Sequence, residues 1–166
     1  IWILAEFSRT LDKVESSWKN IDIYSAAQSI KSFGTGLFPS HWLEMSKTRL
    51  YEGNLSSSWT LHRIVRDLMS IFSPICPFFT HYLSSKLYGV SSVDVREFPE
   101  LPDGSGSEDF ETMQYLTESL VSFNSMVWKK KKESGISLKT PISNIDVPPN
   151  LEIFGKTLRS MHNLEV

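Results

Sequence analysis

The chain has 166 residues, enough for one domain with a small appendage, and its 40% hydrophobic and 22% charged composition excludes a disordered chain. A net charge of −2 excludes a polyanion site built on bulk positive charge, so any such site must come from local clustering. No apolar run approaches the length of a bilayer span, and the single cysteine, Cys76, excludes an internal disulfide and fits a reducing, cytoplasmic compartment. The first residues, Ile1-Trp2-Ile3-Leu4, carry neither an initiator Met nor a leader pattern, so the chain is expected to begin inside an element of a longer protein.

Leu4, Phe7, Leu11, Val14 and Trp18 recur at steps of three and four and predict a first helix. A second helix follows from Ile23 through Ala26, Ala27, Ile30, Phe33, Leu37, Phe38, Trp42 and Met45. Gly34, Gly36 and Pro39 interrupt it, and Pro39 predicts a kink because it removes a backbone donor and crowds the preceding turn. Ser56, Ser57 and Ser58 are cap candidates for a third helix carrying Leu61, Ile64, Val65, Leu68, Met69 and Phe72. Ser73-Pro74 ends it, Pro77 suits the first position of a fourth helix, and Gly89 can close that one. Cys76, between Ile75 and Pro77, reads as a small buried hydrophobe.

Residues 90–107 hold prolines, glycines and serines and read as a surface connection. Ser105 and Glu108 have capping-box spacing ahead of a fifth helix with Met113, Leu116, Leu120, Phe123 and Val127, which Gly135 terminates. Then Ile136-Ser137-Leu138 and Ile145-Asp146-Val147 alternate like short strands, 151–161 suits a short helix, and Leu164–Val166 a truncated strand. The fold class is therefore mainly α, an antiparallel helical bundle over 1–135 with a small, truncated α/β tail over 136–166.

No phosphate-binding Gly-rich loop, nucleophile elbow or metal-ligand spacing occurs, and His41, His62, His81 and His162 are scattered. No catalytic or metal residue is assigned. Two regions suggest binding instead. The interrupted second helix carries Lys31, Phe33, Thr35, Phe38, His41, Trp42, Glu44, Lys47 and Arg49, where aromatic faces can stack unpaired bases and cations can neutralise phosphates. An aromatic core with surface cations is the competing reading, above all for Phe33 and Trp42. The second region is Trp128-Lys129-Lys130-Lys131-Lys132 at the end of the fifth helix. Cations there also complement the helix dipole, but four lysines exceed what capping requires and would make a phosphate footprint.

Several stretches resemble one family. Phe38-Pro39-Ser40-His41-Trp42-Leu43-Glu44-Met45-Ser46-Lys47-Thr48-Arg49-Leu50-Tyr51 is similar to the aromatic, acidic and basic pattern in the anticodon-binding domains of class I aminoacyl-tRNA synthetases of the valyl, isoleucyl, leucyl and methionyl group. Ile71 to Leu83 resembles that family's hydrophobic-Pro-x-x-Pro-Phe signature, and Phe98-Pro99 its Trp-Pro. Trp128 to Lys139 resembles the valyl-type, and within it the archaeal, link from the last long helix to a small tail. Glu44-Met45-Ser46-Lys47-Thr48 imitates the family's catalytic Lys-Met-Ser-Lys-Ser loop, but its His-Ile-Gly-His partner is missing from the chain and the likeness is coincidental. Gly34-Thr35-Gly36 and Pro39 depart from the bulkier residues of the family, which leaves the choice of base-contacting residues open.

The resemblance implies a partner, the anticodon stem-loop of tRNA(Val), and catalytic and editing domains elsewhere in a parent chain. ATP and Mg2+ are implied for that parent and no cofactor for this chain. Thr35, Phe38 and Trp42 are the candidates for base or ribose contact; Lys47, Arg49, Lys129, Lys130, Lys131 and Lys132 are the candidates for phosphates. Leu68, Phe72, Pro74, Pro77, Phe78 and Leu83 are assigned to packing. The same domain of an isoleucyl or leucyl enzyme, a helical protein-interaction bundle without RNA, and a free-standing enzyme are the alternatives.

Overall fold

A computed structural model describes residues 1–92 and 97–165. Its first helix, α1 (Trp2–Lys19), turns Phe7, Leu11 and Val14 fully inward. The short Asn20–Asp22 link returns the chain antiparallel into α2 (Ile23–Lys31), where the Asp22 carboxylate accepts the Ser25 N–H at 2.9 Å. Beyond α2 the chain stays helical through Pro39. It runs through Ser32–Leu43 in widened, π-helical turns and re-tightens into α3 (Glu44–Tyr51). A widened turn hydrogen-bonds five residues back, and such turns are frequent at functional sites.

The widening changes which side chains align. In an α-helix of 3.6 residues per turn, residues five apart point about 140° away from each other. Here Phe33 and Phe38 stack, with centroids 5.8 Å apart and planes at 16°, and Phe38 stacks in turn on Trp42 at 5.3 Å and 11°. All three rings are buried, and Phe33 also meets Phe7 of α1 at 5.2 Å.

Glu52-Gly53-Asn54 reverses the chain, with Gly53 in the left-handed region at φ 73°. Asn54, not the serine run, caps α4 (Leu55–Phe72) by accepting the Ser57 N–H at 2.9 Å. The extended backbone of Asn54 places it at the cap, and the three serines already lie within the first turn. Pro77 opens α5 (Pro77–Tyr88), and Gly89, at φ 64°, closes it. Ser107 caps α6 (Glu108–Glu133) in place of Ser105, whose hydroxyl is engaged with the Pro102 carbonyl and with Ser8. Gly135, at φ 67°, ends α6 as expected.

Two packing expectations are corrected. Leu68 and Phe72 lie against the core and Leu83 is half-buried, but Pro74 and Pro77 are exposed and Phe78 is 90% exposed. The cause is that α5 packs on α4 through small groups, with Thr80 and Ser84 buried, so its aromatic face, with Phe79 and Tyr82, stays uncovered. Cys76 is only half-buried.

The expected strands are also absent from the described residues. The tail folds as turns, a 3-10 helix (Pro149–Phe154) and α7 (Gly155–His162), with one parallel bridge between Ile142 and Leu164. The Leu138 and Thr140 carbonyls, which a ladder would need, are taken by the Lys131 ammonium, while Ile145 and Val147 are buried as single insertions into the core. Val166, the end of the expected last strand, lies outside the described residues. Ile145, Val147, Leu151 and Leu158 of the tail share one hydrophobic cluster with Phe7, Ile64, Leu120 and Phe123 of the bundle.

Candidate nucleic-acid interface

The sequence candidates divide into those presented to solvent and those withdrawn from it. Thr35 is exposed on the widened segment, its hydroxyl donating to the Lys31 carbonyl at 2.8 Å. Phe38 and Trp42 are 6% and 7% exposed, and the stacked column that includes Phe33 takes both ring faces of Phe38. Neither ring can receive a base without unpacking the core, so their role as base contacts is corrected to core packing. The aromatic-core reading holds for Phe33 and Trp42.

The helix α3 presents Lys47 and Arg49 to solvent. Lys47 pairs with Glu44 at 3.2 Å and Arg49 donates to Ser46 at 3.1 Å. An exposed i,i+3 ion pair contributes at most a few tenths of a kcal/mol, so Lys47 can exchange Glu44 for a phosphate at little cost. Beside them Tyr51 is 83% exposed, an uncommitted ring on the same short helix as two cations. Tyr51 ends the family-like stretch but was not among the contact candidates. The signal that could have found it is its position at the polar end of the helix, beyond the last buried residue, Ser46. Thr35 lies twelve residues before Lys47, on the order of 15 Å along the helical path.

At the end of α6 the lysine run splits by helical phase. Lys129, Lys130 and Lys132 are exposed, with Lys129 3.9 Å from Glu133. Lys131 has no exposed surface. Its ammonium donates to the carbonyls of Leu138 at 2.8 Å, Thr140 at 2.7 Å and His162 at 2.7 Å, which satisfies all three of its donors. Desolvation holds its pKa below the ordinary lysine value. Lys131 is therefore corrected from a phosphate ligand to an internal tie. A helix turns about 100° per residue, so one of four consecutive residues facing the core is expected.

Two turns before Lys131, Asn124 joins two histidines from distant segments. Its amide nitrogen donates to His41 Nδ1 at 3.0 Å, and its oxygen accepts from His162 Nε2 at 2.7 Å. Trp128 lies against both rings, 5.3 Å from His41 and 5.8 Å from His162. Burial, then the Lys131 charge, then His41 lower the His162 pKa to about 4; burial alone lowers that of His41. Both are neutral hydrogen-bonding groups of the interior. The helix α7, which ends at His162, also packs on α3, so it links the two exposed cationic groups.

Among the described residues no group of three or more His, Cys, Asp or Glu could hold a metal ion, and no helix is long and apolar enough to cross a membrane. A groove of about 550 Å3 between α1, α2, the widened segment and α6 is lined by Arg9, Lys13, Ser29, Ser32 and His41 among others, with Glu6 beneath it held by Arg9 and Thr117.

Comparison with known proteins supplies a context for these surfaces. The family model described as the anticodon-binding domain of tRNA ligase matches residues 1–146. The valine–tRNA ligase of Saccharolobus solfataricus is 30% identical over 143 residues, covering 86% of this chain and 17% of that protein. The valine–tRNA ligase of Nanoarchaeum equitans is 29% identical over 164 residues, covering 99% of the chain and 21% of the relative. An isoleucine–tRNA ligase, from Picrophilus torridus, is 27% identical over 158 residues, covering 92% and 15%. The chain thus spans about a fifth of the length of the curated relatives it matches.

Proposed function

Because the chain belongs to the family of tRNA-ligase anticodon-binding domains, we propose that it holds the anticodon stem and loop of tRNA(Val) as one part of a longer, cytoplasmic valine–tRNA ligase. The observation that carries this reading is the exposed group on α3, where Lys47 and Arg49 offer charge to phosphates and Tyr51 offers a face to an unstacked base. Lys129, Lys130 and Lys132 at the end of α6 supply a second phosphate contact, and Thr35 a hydroxyl for ribose or base. The negative net charge does not oppose this, because five exposed cations gather at these two places. Joining valine to the tRNA with ATP and Mg2+, and editing, are assigned to parts of the parent protein outside this chain, which spans about a fifth of its relatives' length.

Isoleucine specificity is the second reading, favoured by the isoleucine–tRNA ligase among the relatives. The experiment titrates the chain with a valine tRNA transcript, with the same transcript altered only in its anticodon, and with an isoleucine tRNA, at two salt concentrations. Tighter binding of the valine anticodon, weakening with salt for all three, is the expected result. Preference for the isoleucine transcript moves the assignment to that enzyme. Absence of salt-dependent binding at low salt overturns the RNA reading in favour of a helical protein-interaction bundle.

A further inference from the structure

The tie made by Lys131 has a specific consequence for its neighbour in space, Lys139. Two of the three carbonyls on the Lys131 ammonium belong to Leu138 and Thr140, the residues flanking Lys139. The Lys139 carbonyl itself accepts from Asn163 at 3.2 Å, and its N–H donates to the Ser137 hydroxyl at 3.3 Å. The backbone of Lys139 is thus held from both sides, while its side chain is exposed. The third carbonyl on Lys131, that of His162, fastens the end of α7 to the same point.

We propose that Lys139 is an RNA-phosphate ligand, and that Lys131 is its positioning residue, which fixes the Lys139 backbone against the end of α6. The proposal rests on the RNA-binding reading above and adds to it a ligand in the tail and a reason for the one lysine of the run that faces inward. A buried ammonium without a carboxylate partner is costly unless every donor is satisfied, and here three carbonyls do so at the negative end of the α6 dipole. A lysine whose backbone is already fixed loses less conformational freedom on meeting a phosphate than one on a free loop.

The test measures the slope of log affinity against log salt for a valine tRNA transcript with the 166-residue chain and with K139Q, K130Q, K131M and the double variant K131M/K139Q. Each lost phosphate contact lowers the slope by about 0.7 to 0.9. K139Q is expected to lower it by one such step. K131M is expected to do the same while keeping its helical circular dichroism, and the double variant to show no further loss, whereas adding K130Q to K139Q does. A parent slope unchanged in K139Q overturns the ligand, and losses in K131M and K139Q that add overturn the positioning role. Should K131M fail to fold, K139Q, an exposed change, still decides the ligand. If the unaltered chain shows no salt-dependent binding, the RNA reading and this ligand both fall. Amide exchange at Ile142 and Glu165, which hydrogen-bond to the Asn163 and Ile142 carbonyls, then decides the tie alone. Faster exchange in K131M supports it, and unchanged exchange overturns it.

Discussion

Phe38, Trp42 and Tyr51 sit within fourteen residues of one another and have opposite fates. The first two complete a stacked column in the core, while the third projects into solvent. Trp42→Ala should therefore cost about 3 to 5 kcal/mol of stability, as a buried aromatic deletion does, when followed by urea unfolding. Tyr51→Ala should leave stability within about 0.5 kcal/mol and weaken tRNA binding by roughly the 1 to 3 kcal/mol of one stacked base, read by fluorescence titration. A large stability loss in Tyr51→Ala, or unchanged binding, would sink its assignment. His162 adds a pH dependence. Its pKa in the folded chain, about 4, lies below the ordinary value of 6.5, so the unfolded chain binds more protons between those values. The stabilisation is fully present above pH 6.5 and is lost as pH falls toward 4, on the order of 3 kcal/mol at 1.4 kcal/mol per unit. His162→Gln should flatten that part of the stability profile measured by denaturant titration at successive pH values.

The stripes of α1, α4 and α6 were readable because helical spacing alone puts Phe7, Ile64 and Leu120 on one face each. Caps were less so. Ser56 to Ser58 look better than Asn54 as a string of letters, yet the reversal at Gly53 places Asn54 at the boundary. Asn54→Ala should cost about 1 kcal/mol in thermal unfolding and Ser56→Ala less than about 0.5; the reverse order would restore the serine cap. Pro39 marked an irregular stretch whose form no local pattern contained. Its missing donor falls in a stretch whose turns are widened from Ser32 to Leu43, which aligns Phe33 with Phe38. That choice depends on the Phe7 ring lying across the helix interface, which no local pattern contains.

At the scale of the molecule, the tail is part of the bundle's core. Ile145, Val147, Leu151 and Leu158 bury against the same cluster as Leu120 and Phe123, and Lys131 and Asn124 tie α7 to α6. Calorimetry should accordingly show one cooperative transition for the whole chain, and removal of residues 136–166 should lower the midpoint of what is left or abolish its transition. Two transitions, with 1–135 unaffected by the deletion, would show an independent appendage. The uncovered aromatic face of α5 behaves oppositely: Phe78→Ser should shift thermal stability by less than about 0.5 kcal/mol, since the ring is 90% exposed.

The sequence by itself determined the helical class, the order of the bundle helices, the Gly89 and Gly135 stops and the family, because periodicity, glycine's access to positive φ and the Pro-x-x-Pro stretch are local properties. It also marked the places where cations cluster. Which of those side chains reach solvent was decided only by the tertiary structure. A run of four lysines has no inward member until the tail supplies three carbonyls to receive one, and an aromatic in a helix is core or surface according to the helix that packs against it. Those partners lie up to 31 residues away from Lys131, and 83 residues separate Asn124 from His41, distances over which sequence pattern carries no register.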